Sequence, residues 1–333
     1  MDTGIQANHP DLQDEDGNTR VQQIDWYAYS DTLEGPLPEQ FYSHGEFHGT
    51  HVAAIAAGRK NGWAKEAHIY SMNALGSSGA RIGDITECFE LILAWHRAKS
   101  DPTSVHYTGR PTVVNMSWGM TSRSMGLPNP KDIIFRGVTY DGPNWSSERA
   151  SQDYAEFYDK YGLTNPRRGS YDVALQIPAY DALTEELIQE GCTVCIAAGN
   201  RADIGTRDTN HVDYNNRLVY EADSGFDPIY YNRAGSPYAE GALFVAALAP
   251  TCPEYFSPAN PGYEELSNFS SRGDAVDIIA PGAKIRSASA PYTSITYPII
   301  TETFEVRHFV DADNPDIYLQ RSESGTSMAS LLK

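Results

Sequence analysis

"CTVCIAAGN", residues 192–200, is an unbroken apolar run that ends on a glycine and an asparagine. A run this short and this continuous reads as a strand buried on both faces, the condition of strands inside a parallel sheet. Similar runs recur at 68–75 ("HIYSMNAL"), 112–117 ("TVVNMS"), 243–249 ("LFVAALA") and 276–280 ("VDIIA"). Helical patterns lie between them. One is "GTHVAAIAAG" at 49–58. A second runs from Ile82 to Lys99, with Ile85, Phe89, Ile92 and Trp95 at helical spacing. A third runs from Tyr171 to Gln189 and is closed by Gly191. Strands alternating with helices predict an α/β fold, a mostly parallel sheet with helices on its faces.

Several segments fit no strand–helix unit. Residues 14–45 are polar and turn-rich, 120–170 are aromatic and punctuated by Gly and Pro, and 201–235 are polar and charged. Residues 288–322 hold two alternating stretches that suggest a β-hairpin. Tyr154, Phe157 and Tyr158 have helical spacing and read as a packing face. With neither repeats nor a low-complexity linker, residues 1–333 read as one domain with insertions in those places.

Composition narrows the partners. The chain has 44 acidic against 25 basic residues and a formal charge of −19. Such a surface argues against nucleic acid or an anionic membrane. No apolar run approaches the ~18 residues of a membrane span. The four cysteines are too few for a disulfide scaffold. Cys192 and Cys195 form a C-x-x-C, but residues an odd number apart on a strand face opposite ways, so core packing is expected of them.

Four stretches combine residue types that together do acyl-transfer chemistry: "MDTGIQANHPDL" at the start, "HGTHVAAIAAG" from His48, "AAGN" ending at Asn200, and "SGTSMAS" around Ser327. A serine hydroxyl attacks a carbonyl only if a base takes its proton, and histidine suits that task near neutrality. A carboxylate such as Asp2 can hold the imidazole in one tautomer and stabilise the imidazolium. The developing oxyanion needs a preorganised donor, and an Asn amide at the carboxyl end of a strand can provide it, together with a backbone N–H at a helix start. Sites in parallel α/β sheets gather at those carboxyl ends. Each residue also has an ordinary reading: Asp2 as a turn cap, Asn200 as a turn residue, Ser327 as a helix cap. Thr326 is expected to cap the helix at Ser327. His48 and His51 make an H-x-x-H, but without the acidic partner of H-E-x-x-H, so no metal site is assigned and His51 is read as packed.

The joint occurrence decides between these readings. Asp2-Thr3-Gly4, His48-Gly49-Thr50-His51, Ala198-Gly199-Asn200 and Gly325-Thr326-Ser327-Met328-Ala329-Ser330 resemble the signature motifs of the subtilisin-like serine proteases (subtilases, peptidase family S8), in the family's order. The resemblance implies a three-layer subtilisin-like fold. It also implies a serine endopeptidase in which Asp2, His48 and Ser327 are catalytic and Asn200 stabilises the oxyanion. "VVNMSWG" and "LGSSGA" are similar to the strands that clamp an extended polypeptide substrate in this family, which implies Ser117, Trp118 and Gly119 on one side and Gly79 and Ala80 on the other. No cofactor is implied for the chemistry. Many subtilases bind structural Ca²⁺ through a loop in or after the His helix, which this sequence lacks. Acidic clusters at Asp14-Glu15-Asp16 and at Asp311, Asp313 and Asp316 are read as solvated charge. Against the family's pattern, the chain is expected to be truncated at both ends, before Asp2 and after Lys333. That departure and the long insertions motivate a rival reading: a structural or binding component, such as a phage particle subunit, or an inactive fragment. The sequence leaves the compartment open between secreted and virion-associated, and the oligomeric state open altogether.

Overall fold

The computed structural model describes residues 1–22, 24–35, 46–75, 83–122, 124–128, 130–141, 160–163, 173–249, 265–290, 307–309 and 318–331. In chain order its elements are β1 (Val21–Gln22), α1 (His48–Ala57), β2 (Ile69–Tyr70), α2 (Ile85–Ser100), β3 (Val113–Met116), β4 (Asp132–Phe135), β5 (Val138–Asp141), α3 (Pro178–Gln189), β6 (Thr193–Ala197), β7 (Arg217–Val219), β8 (Ile229–Tyr230), β9 (Leu243–Leu248), β10 (Ile278–Pro281), β11 (Ile285–Ser289), β12 (Arg307–Phe309), β13 (Tyr318–Glu323) and α4 (Thr326–Ala329).

The apolar runs form the central sheet, with order β10-β9-β6-β3 and every pairing parallel. Alternation along the strands divides its two faces. Val194 and Ile196 of β6 and Phe244 of β9 join Val114 and Met116 under Ile85, Phe89 and Leu93 of α2 and Leu187 of α3. The intervening Val245 and Ala247 of β9 pack on the other face, with Ala280 and with Ala329 of α4. This double burial is why β6 and β9 read as continuous apolar runs, whereas the edge strands β3 and β10 leave Val113 and Ile279 exposed. Cys192 lies in the cluster under α2 and α3, and burial pushes its thiol up to about 11.

Local chemistry sets the helix boundaries. Asp84 caps α2, its Oδ1 accepting from Glu87 N at 2.7 Å, so the helix begins at Ile85; the expected start at Ile82 lies outside the described residues. α3 begins with Pro178 in the first turn, where a missing N–H costs nothing. It ends as the sequence predicts. Gly191 has φ +95°, its N–H donates to Ile188 O at 2.9 Å, and Cys192 N donates to Leu187 O at 2.9 Å. This is the Schellman pattern, with its apolar contact between Leu187 and Cys192.

Two segments distant in sequence build one structure. β4 and β5, from 120–170, join β7 and β8, from 201–235, in an antiparallel sheet of order β5-β4-β7-β8. Arg136 and Gly137 turn its first hairpin with φ +50° and +81°, the positive values a two-residue hairpin turn requires. The sheet has its own core of Ile133, Phe135, Tyr161, Leu163, Val173, Leu175, Leu218, Tyr220 and Tyr231. Arg136 holds Asp213 with two hydrogen bonds, at 2.7 and 3.0 Å. The Tyr231 hydroxyl donates to Tyr161 O at 2.7 Å. The hairpin expected in 288–322 is present as β12 against β13, and β11 completes a three-stranded antiparallel sheet. Tyr154, Phe157 and Tyr158 lie outside the described residues.

Candidate active site

Asp2 is held by the backbone around it. Its N–H donates to Met72 O at 2.9 Å and its carbonyl accepts from Ala74 N at 2.9 Å, so it pairs in parallel with Asn73, just beyond β2. The turn that follows abuts the start of α1. Thr3 Oγ1 accepts from Gly49 N at 2.9 Å, and Thr50 Oγ1 accepts from Gln6 N at 2.9 Å. A Cβ at position 49 would stand 2.2 Å from Gly4 O, so only glycine admits this approach. The approach brings His48, the first residue of α1, to Asp2: Nδ1 and Oδ1 are 2.8 Å apart. Asp2 Oδ1 also accepts from Thr3 N at 2.7 Å.

The electrostatics of this pair follow from its burial. Burial works against the Asp2 charge, but the attraction of His48 and the hydrogen bonds from His48 and Thr3 outweigh it and hold its pKa below the ordinary carboxylate value. For His48, burial favours the neutral ring, and the facing Asp2 carboxylate overrides it and raises the pKa. With Asp2 on Nδ1, the Nδ1–H tautomer is selected and Nε2 is left as the basic nitrogen. The His48 side chain keeps 24% exposure against 9% for Asp2, so the imidazole reaches solvent while the carboxylate stays inside. His51 is different. It is fully buried, burial drives its pKa down to about 4, and Nε2 lies 3.2 Å from Arg321 O as a donor to β13. That is a packing role.

Ser117–Gly119 and Gly199–Asn200 follow β3 and β6, which pair in parallel, so both segments emerge at the same end of the sheet. Ser327 meets them there. Its hydroxyl donates to Ser117 O at 3.0 Å, which commits the proton to a backbone acceptor rather than to His48. With only four residues, α4 is too short to be stable by itself. A set of small polar side chains holds it. Ser117 Oγ donates to Ser327 O at 3.1 Å and accepts from Asn115 Nδ2 at 2.8 Å, and Ser330 Oγ donates to Asn115 Oδ1 at 3.0 Å. Apolar contacts add to this: Met328 and Leu331 pack on Val52 and Ile55 of α1, the helix that carries His48.

Thr326 does not cap α4 as the sequence suggested. It is the first residue of the helix, and Gly325 occupies the cap without a side-chain hydrogen bond. Instead Thr326 orients Asn200: its N–H and Oγ1 both donate to Asn200 Oδ1, at 2.8 and 3.0 Å, and its Oγ1 accepts from Gly199 N at 3.1 Å. With Oδ1 engaged, the amide orientation is set and Nδ2 is the group left to donate. A Cβ on Gly325 would stand 3.2 Å from Asn200 Nδ2, so a side chain there would crowd the amide. The sequence reading missed Asn115, Ser330 and this role of Thr326. The one available hint was the density of small hydroxyl residues around Ser327.

Ser117, Trp118, Gly119, Asn200 and Ser327 line a single pocket of about 370 Å³. Trp118 forms one wall edge-on to Tyr180, ring centroids 6.3 Å apart at 83°. Gly79 and Ala80 lie outside the described residues. Arg321 stacks over the ring of Phe47, the residue before His48, at 3.6 Å and pairs with Glu323. Asp14 folds onto its own turn, Oδ1 accepting from Asp16 N at 3.0 Å and Asn18 N at 2.8 Å, while Asp311, Asp313 and Asp316 are outside the described residues. Among the described residues no three His, Cys, Asp or Glu are grouped to hold a metal ion, and no helix is long and apolar enough to cross a membrane.

The subtilase-type proteinase psp3 of Schizosaccharomyces pombe is 32% identical over 120 residues, which is 36% of this chain and 22% of that proteinase's length. A cold adapted subtilisin-like serine proteinase of known structure aligns with 99% of this chain and 69% of its own, at 18% identity and a TM-score of 0.47. The S41 psychrophilic protease aligns with 100% of this chain and 72% of its own, at 20% identity and a TM-score of 0.46. The subtilase family model matches residues 1–330, nearly the whole of the sequence. The chain therefore belongs to the subtilase family.

Proposed function

We propose that the chain is the catalytic part of a serine endopeptidase, with Ser327 as nucleophile, His48 as general base and acid, Asp2 as the group that orients His48, and Asn200 with the Ser327 backbone N–H as oxyanion donors. The observation that carries the reading is the 2.8 Å Asp2–His48 hydrogen bond, on a helix packed directly against the one that bears Ser327. In this reading the Ser327 hydroxyl turns from Ser117 O to His48 Nε2 and gives up its proton as Oγ bonds to the scissile carbonyl carbon. The carbonyl oxygen takes the negative charge, which Asn200 Nδ2–H stabilises. Collapse breaks the C–N bond, and His48 passes its proton to the leaving amine. Water then attacks the acyl ester through the same base, and Ser327 recovers its proton. Subtilases need no cofactor for this chemistry. Ser117–Gly119 would pair with an extended substrate, because the segment leaves β3 beside the nucleophile.

The test is covalent labelling with a fluorophosphonate. Ser327→Ala should abolish the label while the circular dichroism spectrum stays unchanged. Label that persists in Ser327→Ala, or that never appears in the folded chain, removes the assignment.

A further inference from the structure

We infer that the pocket beside Ser327 selects an acidic side chain, glutamate above all, on the residue whose carbonyl is attacked. This rests on the peptidase reading, and it extends that reading to the substrate class. The argument starts from charge. The chain as a whole carries 44 acidic residues and 25 basic ones. The pocket reverses that balance: its charged lining is Arg201, Arg233 and Arg272 against Asp203. Asp203 is already used, since its Oδ2 accepts from Arg201 Nε at 2.6 Å. Arg233 is held in place, its guanidinium 3.9 Å from the Tyr214 ring and 3.8 Å from the Tyr230 ring, with Nε donating to Tyr214 O at 2.8 Å. Arg272 is exposed at the pocket rim, and among the described residues its guanidinium has no partner.

A second observation is independent of charge. Ser271 lines the same pocket and is 5% exposed, and its Oγ has no hydrogen-bond partner among the described residues. A Cβ on Gly199 would stand 2.9 Å from that Oγ and 3.4 Å from Arg201 Nη2, so the hydroxyl and the guanidinium lie together beside the segment that ends in Asn200. An orphaned buried hydroxyl costs free energy unless something accepts from it. A carboxylate entering the pocket accepts from Ser271 and meets the charge of Arg272, whereas a lysine would be repelled and a phenylalanine would leave the hydroxyl unpaired. The insertion 201–235 supplies Arg201, Asp203 and Arg233, so this specificity is built by the segment that departs from the simple strand–helix pattern.

The test uses peptides that differ only in Glu, Gln, Phe or Lys before the scissile bond. Glu and Gln are nearly isosteric, so their ratio isolates charge. Charge-assisted hydrogen bonds exceed neutral ones enough that kcat/KM for Glu should be at least about tenfold that for Gln. The ratio should shrink as ionic strength rises, and Arg272→Glu should bring it to or below one. A Glu/Gln ratio of one or less in the native chain, a preference for Phe or Lys, or a ratio that Arg272→Glu leaves unchanged overturns the inference. Fluorophosphonate labelling at Ser327 separates the two readings, because its absence sinks the peptidase reading alone. In that event the pocket is read in the Ser327→Ala chain by calorimetric binding of peptides that end in Glu or in Gln. Tighter binding of the Glu peptide supports the inference, and equal binding defeats it.

Discussion

The proposed mechanism gives Asn200 two functions that substitution separates, since Oδ1 anchors Thr326 while Nδ2 is the donor assigned to the oxyanion. Oδ1 accepts from Thr326 N at 2.8 Å and from Thr326 Oγ1 at 3.0 Å, and Thr326 is fully buried. Asn200→Ala removes both acceptances and strands both donors. At about 0.5–1.5 kcal/mol for each bond, the variant should lose about 1–3 kcal/mol of stability. It also loses the Nδ2 donor, and one missing oxyanion donor costs about 10²–10³ in kcat, a figure known from subtilisin itself and carried over to this relative. Asn200→Asp separates these effects. The carboxylate still accepts from Thr326, and position 200 is exposed enough to solvate the charge, so stability should change by less than about 1 kcal/mol. Activity should nevertheless fall at least as far as in Asn200→Ala, because a negative charge replaces a donor where negative charge develops. Urea denaturation gives the first quantity and active-site-titrated turnover of a peptide ester the second. An Asn200→Asp chain that keeps kcat within about threefold would refute the donor role. An Asn200→Ala chain of native stability would refute the anchoring by Thr326.

Three further outcomes are expected. Asp2→Asn should reduce kcat about 10⁴-fold at neutral pH by selecting the wrong His48 tautomer. Because Asp2 raises the His48 pKa, the acid limb of kcat/KM in the native chain should lie above the ordinary imidazole value of ~6.5 and should move to lower pH in Asp2→Asn, as a pH–rate profile would show. Gly49→Ala would place a methyl 2.2 Å from Gly4 O, and forcing α1 from the Asp2 turn should cost about 1–3 kcal/mol in urea denaturation and most of the activity. Tyr231→Phe should cost about 0.5–1.5 kcal/mol by removing the buried hydrogen bond to Tyr161 O, while Ser327 labelling persists because Tyr231 does not line the pocket.

Much of the scaffold was legible because its physics is local. Continuous apolar runs marked β6 and β9 as doubly buried, and Gly191 marked the end of α3 through a left-handed cap; β3 and β10 read the same way but lie at the sheet's edges and leave Val113 and Ile279 exposed. Helix starts were less legible. The first turn of α2 depends on one Asp84 side chain, and the first turn of α3 on a proline rather than on apolar spacing. The antiparallel sheet β5-β4-β7-β8 was not legible at all. Its halves come from two segments separated by α3 and β6, and each half alone reads as polar or irregular. Only their mutual burial of Ile133, Tyr161, Leu218 and Tyr231 makes either one a sheet.

The site divides the same way. By itself the sequence determined which residue types are present and in what order, since Asp2, His48, Asn200 and Ser327 each sit in a short motif with a local reason for its glycines. Tertiary structure alone decided what each atom faces. Asn200 has a defined donor because Thr326, more than a hundred residues away, occupies its oxygen. The Ser327 proton rests on Ser117 O because β3 ends beside α4. The charge of the pocket comes from Arg201 and Arg233 of the 201–235 segment and Arg272 of a later loop. Hydrogen bonds and charge act through space over a few ångströms, and chain order carries no record of which distant side chains the fold will bring within that reach.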